Sequence, residues 1–369
     1  MKNVRFVGLD VHAQTIAAAV AEPGGEARSL GVIANRPEAV RKLLKKLGKA
    51  EQLRVCYEAG PTGYALYWQL TRLGVKCEVI APTLMPMKPG DRVKTDRRDA
   101  ERLARSYRSG DLTPVWVPDE AHEALRDLVR AREAAKKDQL RARHRLGKFL
   151  LRQGRRAPER MSAWTGQHLK WVREQRFEHA AHEATLSDYL HEVEHAGNRI
   201  ERLERAIDTA IESVPEKMRT VIEALQALRG IAQISAVSVV AELGELSRFA
   251  RPKQLMGYSG AVSSEHSSGE RVRRYGITKS GNAHLRRIVV EAAWSYRHRP
   301  SCVGALKKRQ EGVCEEVKEI AWKAQHRLHD RYRKLLARGK NKQQAVTAVA
   351  RELLGFIWAI GMQVERGVA

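Results

Sequence analysis

The spacing of apolar residues changes character twice along the chain, after Pro118 and again near Lys217. Before the first change, short apolar runs alternate with turn residues. Val4–Asp10, Thr15–Ala21 and Arg28–Ile33 have strand composition, and Gly24-Gly25 marks the turn between the second and third. Asn35 and Pro37 open a helix to about Leu47 by the cap-then-proline signal. A strand over Gln52–Tyr57, a helix over Tyr64–Leu73 closed by Gly74, and a strand over Val75–Ile80 follow. After a loop with Pro82, Pro86 and Pro89, Thr95 caps a helix from Asp96 to about Arg108. Between Asp119 and Val214 strand signals vanish. There Tyr189, Val193, Ala196, Ile200, Leu203, Ile207, Ala210 and Val214 form a heptad seam ended by Pro215. A helix from about Ala121 to Leu151 is available as its antiparallel partner, beyond the Gly154–Pro158 break and a segment with Trp164 and Trp171. The seam fits an intramolecular hairpin and a dimerising coiled coil equally well.

The N-terminal order βββαβαβα is that of the ribonuclease-H-like fold. In it, carboxylates on the first strand, the fourth strand and the last helix converge. Here Asp10 ends the first run, Glu58 ends the fourth, and Asp96 and Asp99 lie three apart at the start of a helix. Such oxygen ligands can share divalent cations, Mg²⁺ or Mn²⁺, and so activate a phosphodiester. Each acid also has a plain explanation, as a turn residue or as an anion at a helix N-terminus. That explanation does not cover their joint placement.

Composition narrows the partner. The chain has 67 Lys+Arg against 43 Asp+Glu, a net charge of +24, which draws it to polyphosphate. Between Arg130 and Arg160 stand twelve Lys/Arg and three acidic residues, with Arg141, Arg145 and Lys148 on the crowded stretch. The imbalance exceeds what paired salt bridges absorb, so a phosphate-contacting face is expected there. The four cysteines form no C-x-x-C pair and suit reduced thiols of a cytoplasmic protein. The first residues lack a signal-peptide core, and no apolar run reaches about 18 residues, so no membrane partner is expected. Leu353–Met362 is the nearest approach and has the composition of a core helix.

The last third holds two further features. Leu228–Ser235 joins a helix to the apolar helix Ala236–Leu243, resembling a helix-hairpin-helix that offers backbone amides to phosphate. A Ser/Gly segment, Ser263-Ser264-Glu265-His266-Ser267-Ser268-Gly269, leads into Arg271, Arg273, Arg274 and Lys279. A basic amphipathic helix with Arg286 and Arg287 then runs from about Ala283 to Tyr296. Hydroxyls thus stand beside several phosphate-binding cations. A flexible surface loop would carry the same residues.

These motifs together resemble one family. Gly8-Leu9-Asp10-Val11-His12, Tyr57-Glu58-Ala59-Gly60-Pro61-Thr62-Gly63 and Lys94-Thr95-Asp96-Arg97-Arg98-Asp99-Ala100 are similar to the N-terminal motifs of DEDD-type transposases of bacterial insertion sequences. That group also contains Piv-type DNA invertases. Glu265 to Gly269 and Gly276-Ile277-Thr278-Lys279-Ser280-Gly281-Asn282 resemble its C-terminal motifs, in the same order. The resemblance implies a catalytic domain over 1–118, a coiled-coil connector over 119–216 and a C-terminal transposase domain over 217–369. It further implies DNA cleavage and rejoining, with Asp10, Glu58, Asp96 and Asp99 holding the metal and a serine as nucleophile. Ser268 is the candidate, with Ser267 as runner-up. A structured RNA encoded by the element and a homo-oligomer, dimer or tetramer, are implied as partners. One departure is visible: the Gly-x-Gly turn common in helix-hairpin-helix elements reads Gly230-Ile231-Ala232 here. The alternative activity is a Holliday-junction-type endonuclease that uses the four acids and water.

Overall fold

The structure is a computed structural model that describes residues 4–86, 95–269 and 271–367. Pro89 and Lys94 of the segments above, and Glu270 between Gly269 and Arg271, lie outside the described residues. The chain forms two compact units, Met1–Val117 and Pro118–Ala369.

The first unit is a five-stranded sheet with helices on both faces. Its strands are β1 (Arg5–Val11), β2 (Thr15–Ala21), β3 (Arg28–Ala34), β4 (Leu53–Glu58) and β5 (Lys76–Ile80), in the spatial order β3-β2-β1-β4-β5. The β1–β2 and β2–β3 pairs are antiparallel, and β1–β4 and β4–β5 are parallel. The helices are α1 (Pro37–Leu47), α2 (Ala65–Arg72) and α3 (Asp96–Ser109). Alternation along β1 sorts the two faces. Val7 and Leu9 join a core with Val40, Leu44, Leu66 and Leu70 of α1 and α2. Gly8 looks the other way, onto α3, where a Cβ would collide with the carbonyl of Ala100 and the amide of Ala104. Ala17, Ala19, Ala21, Ala100 and Ala104 complete that thin layer of small side chains. The sheet can therefore hold α3 at backbone contact. One sequence signal is corrected: α1 is capped by Arg36 without a side-chain bond, while the Asn35 amide donates to the His12 carbonyl at 2.8 Å. Asn35 thus ties down the segment after β1 instead of capping the helix.

The second unit is mostly helical. The long helices α4 (Glu120–Arg152) and α6 (Ala180–Ser213) pack on each other, with the short α5 (Gly166–Arg173) between them in sequence. Asp119 caps α4 by accepting from the His122 amide. On α6, Val193, Ala196, Ile200 and Ile207 are buried. Tyr189, Leu203, Ala210 and Val214 are half-buried, and Ile211 takes the buried place that a strict heptad assigns to Ala210. A helix period of 3.6 residues drifts from a 3.5 repeat, so the seam rotates by one position in its last turns. Arg132–Glu204 at 2.6 Å and Arg199–Asp138 at 2.9 Å tie the two helices at their edges. At the root, Leu125, Val129, Ile207 and Ile211 share one core with the helices that follow.

Those helices are α7 (Glu216–Leu225), α8 (Gln233–Leu243), α9 (Pro252–Tyr258), α10 (Ala283–Ala293), α11 (Ala305–Arg309), α12 (Glu315–Ala337) and α13 (Lys342–Gly367). A two-stranded hairpin, β6 (Ser263–Glu265) and β7 (Arg274–Ile277), stands between α9 and α10 in sequence. The centre is α8, buried at every residue from Ala236 to Leu243. The turn before it follows packing: Gly230 has φ +84°, and a Cβ there would collide with the Ala292 carbonyl of α10. α13 is long and apolar enough to cross a membrane by length and composition, yet half of its most apolar stretch is buried within the fold.

Candidate active site

Two strand ends and one helix start supply the acidic residues. Leu9 pairs with Tyr57, so Asp10 and Glu58 are the next residues on neighbouring parallel strands. Tyr57 packs into the α1–α2 core, and alternation sends Glu58 to the opposite, α3 side. Asp10 follows Gly8 by two and shares its α3 face. The first turn of α3 carries Asp96 and Asp99, with Thr95 accepting from the Arg98 amide as its cap. Because the small-residue layer seats α3 on β1, this turn reaches the strand end.

The geometry is closest around Asp10. His12 Nε2 lies 3.4 Å from Asp10 Oδ2 and 3.6 Å from Asp96 Oδ1. One ligand atom each from Asp10, His12 and Asp96 fall within 4.8 Å of one another. Burial raises the Asp10 carboxyl above its ordinary value, His12 offsets part of that, and the charges of Asp96 and Asp99 raise it further. A desolvated carboxylate beside two others is the electrostatic situation that a cation relieves. The two carboxylates suit Mg²⁺ or Mn²⁺, while an imidazole donor shifts the preference toward the transition metal, Mn²⁺. Glu58 stands outside this three-residue group, and so does Asp99, which is 6% exposed and accepts a 2.7 Å bond from Arg102. His12 had no assigned role in the sequence. Its signal was its position two residues after Asp10, which puts both on one side of an extended segment.

The serine candidates sit on the β6–β7 hairpin. Ser268 and Arg271 exchange two backbone hydrogen bonds, each 3.2 Å, and close its tip. Gly269 inside the turn has φ +58°, a conformation that favours glycine. Ser267 Oγ donates to Glu265 Oε1 at 2.8 Å, and Arg274 Nε donates to Oε2 at 3.0 Å. These two bonds, that from Ser267 first, hold the Glu265 carboxyl below its ordinary range. Among the described residues, Ser268 Oγ has no such partner.

Buried polar bonds tie the foundation of the hairpin. Asn282 caps α10 by accepting from the Leu285 amide, and its Nδ2 donates to Glu242 Oε2 at 2.7 Å. Glu242 on α8 is 1% exposed, and Arg130 of α4 donates to both its oxygens at 2.7 and 2.9 Å. Burial pushes the Glu242 carboxyl up, but the bonds from Arg130 and Asn282 outweigh it and hold it low. Beside it, burial likewise opposes ionisation of Glu133, and bonds from Lys137, His284 and Arg287 bring that carboxyl down to about 2. Removing one partner of a buried pair leaves an uncompensated charge. Arg130 is itself 42% exposed and Asn282 remains, so Arg130→Ala is expected to lower stability in urea unfolding by about 2 kcal/mol, less than for a fully buried pair. A loss under about 1 kcal/mol would mean that Arg126, 3.9 Å away, suffices.

The expected nucleic-acid contacts fall into two groups. Arg141, Arg145 and Lys148 are exposed on one face of α4, and Arg271, Arg273, Arg274 and Lys279 are exposed on or beside the hairpin. Arg286 and Arg287 are half-buried and internally engaged. Arg286 donates to the Ser259 carbonyl at 2.6 Å, and Arg287 bridges Glu133 and Glu291.

Residues 7–153 match a family described as "Transposase", of the DEDD type, and residues 222–306 match the "Transposase IS116/IS110/IS902 family". A protein of Sinorhizobium fredii named "Putative transposase y4qE" is 47% identical over 98% of this chain and 89% of its own length. The "Transposase for insertion sequence element IS1533" of Leptospira borgpetersenii is 32% identical over 92% of this chain and 99% of its own. The matched segments contain both the acidic cluster and the serine hairpin, and the chain belongs to the IS116/IS110/IS902 family of insertion-sequence transposases.

Proposed function

We propose that this protein cuts and rejoins DNA at the ends of its insertion sequence, using a metal-binding acidic site and a serine nucleophile. The observation that carries the reading is the meeting of Asp10, His12 and Asp96, with Asp99 and Glu58 beside them. The strand order β3-β2-β1-β4-β5, with three antiparallel-connected strands first, supports a ribonuclease-H-like assignment for this unit. In that assignment Asp10, Glu58, Asp96 and Asp99 are the metal ligands, and we add His12 to them. A bound Mg²⁺ or Mn²⁺ supplies Lewis-acid stabilisation of charge at the scissile phosphate.

The chain's own residues do the rest. Ser268 Oγ attacks phosphorus, the Oγ–P bond forms, and the bond to the departing strand oxygen breaks. The serine proton passes to solvent, and the leaving oxygen takes a proton from solvent. The serine ester keeps the phosphodiester energy for rejoining, which simple hydrolysis discards. Arg271, Arg273 and Arg274 neutralise charge on the phosphate oxygens during attack. The basic face of α4 supports binding of nucleic acid, DNA and the element's structured RNA alike. We further read the α4–α6 pair as the coiled-coil connector of a homo-oligomer.

The test is cleavage of DNA carrying the element's ends, resolved on denaturing gels. A covalent protein–DNA species is expected with Mg²⁺, none in EDTA, and recovery when Mg²⁺ is restored. Undiminished cutting in EDTA would reject the metal site. Metal-dependent cutting without any covalent species would favour the water-using junction endonuclease.

A further inference from the structure

Beside the hairpin lies a cleft that shares Arg274 with the reading above and is otherwise unused by it. It has a volume of about 700 Å³ and runs between β6–β7 and the facing ends of α12 and α13. Five cations line it, Arg274, Lys279, Arg331, Lys340 and Arg351, and no lining residue is acidic. Arg274 and Arg331 have carboxylate partners, Glu265 and Glu352. Among the described residues, Lys279, Lys340 and Arg351 have none within ion-pair distance. Such an excess in a concave site focuses a positive potential that attracts polyanions.

Two more features say what kind of polyanion fits. Tyr275, on β7 in the cleft wall, is 57% exposed, and one side of its ring is braced edge-to-face by His266 at 5.8 Å. A held, solvent-facing aromatic ring is what a nucleobase stacks on. The amides of Asn341, Gln343 and Gln344 lie along the opposite wall, at the start of α13. Asn341 Oδ1 accepts from the Gln344 backbone amide, so Asn341 Nδ2 and the side-chain amides of Gln343 and Gln344 in the wall offer donors and acceptors for base edges. The volume is within the range that encloses a ligand of nucleotide size.

We propose that this cleft binds a single strand of nucleic acid, with phosphates on Lys279, Lys340 and Arg351 and one base stacked on Tyr275. The proposal rests on the nucleic-acid function above and deepens it by naming the strand-binding surface. The cleft faces one unit only and needs no metal, so binding is separable from cutting. Stacking and amide contacts require an unpaired base, so a duplex should not satisfy the site.

The test is binding of the full-length protein, in EDTA, to fluorescent oligonucleotides of about 16 nucleotides, the upper size for a single-strand groove. Oligothymidine, oligouridine RNA and a blunt DNA duplex are the three probes, each titrated with salt. Lys340→Glu with Arg351→Glu should weaken single-strand binding at least about ten-fold. It should also flatten the slope of log affinity against log salt by about 1.4, two phosphates at about 0.7 each. Tyr275→Ala should weaken it by about 5- to 150-fold and Tyr275→Phe should restore it. Loss confined to oligouridine assigns the cleft to RNA, and loss confined to oligothymidine to a DNA strand; either supports the proposal. Circular-dichroism melting checks the fold, and Lys279→Glu with Lys340→Glu replaces the first pair if Arg351→Glu unfolds. Wild-type affinity and salt slope in these variants, or loss for the duplex alone, overturns the proposal. If Arg141→Glu with Arg145→Glu then abolishes binding and the wild type still cuts with Mg²⁺, the function stands and only the cleft is wrong.

Discussion

Asp10→Asn is expected to abolish DNA cutting while leaving the protein folded and, without metal, at least as stable as the wild type. The two halves of this expectation come from one arrangement. Asp10 is partly desolvated and faces the charges of Asp96 and Asp99, so its carboxyl is raised even though His12 lies 3.4 Å away. A folded-state carboxyl raised above its unfolded value binds protons more readily in the native protein. Its ionisation then destabilises the fold as pH climbs from the unfolded value through the raised one. Above that window, at neutral pH, the neutral amide of Asn removes the repulsion, and the melting temperature in EDTA should hold or rise slightly. The same change deletes an anionic group of the proposed metal site, so cutting should fall by at least about 10³-fold, roughly 4 kcal/mol of transition-state stabilisation. Mg²⁺ should raise the melting temperature of the wild type and leave that of Asp10→Asn where it was. Asp99→Asn should lose cutting too, but Arg102 would lose the negative charge of its 2.7 Å partner, so a stability gain is not expected there. If Asp10→Asn cuts at the wild-type rate, the metal site has been assigned to the wrong residues.

How far the sequence alone reached can be judged residue by residue. The strands of the first unit were legible because apolar runs bounded by glycine and proline report strands without help from tertiary context. The role of Gly8 was not, because what it touches, Ala100 and Ala104, lies more than ninety residues on. His12 was within reach through its spacing from Asp10, but a histidine after a strand end has many ordinary explanations. Asn35 misled for a reason local rules cannot capture: its amide satisfies the His12 carbonyl instead of a helix N-terminus. Basic residues were visible as charge, while their engagement was not. Arg286 and Arg287 look no different in sequence from Lys279, yet Ser259, Glu133 and Glu291 take up their donors. The cleft beside Tyr275 was equally hidden, since its walls come from segments some sixty residues apart.

Ser268→Ala is expected to bind DNA like the wild type and to form neither the covalent protein–DNA species nor the strand-exchange product. Ser268 is favoured by its surroundings. It stands at an exposed hairpin tip whose backbone is pinned by the two bonds with Arg271, and Gly269 after it has no side chain to keep a phosphate away. Arg271 and Arg273 are exposed beside it. Ser267 is committed to Glu265, and its bond, with that of Arg274, holds that carboxyl below its ordinary range. Deleting a nucleophile that cannot be replaced costs on the order of 10⁶ in rate, which for this reaction means no detectable product. Ser267→Ala should instead retain the adduct, with a reduced rate if Glu265 helps to shape the tip. A gel shift, a denaturing gel for the adduct and a recombination assay on the same preparations separate binding, attack and rejoining. An inactive Ser267→Ala beside an active Ser268→Ala moves the nucleophile by one residue. Adduct formation by both variants, and by the double variant, would reject a serine on this hairpin altogether.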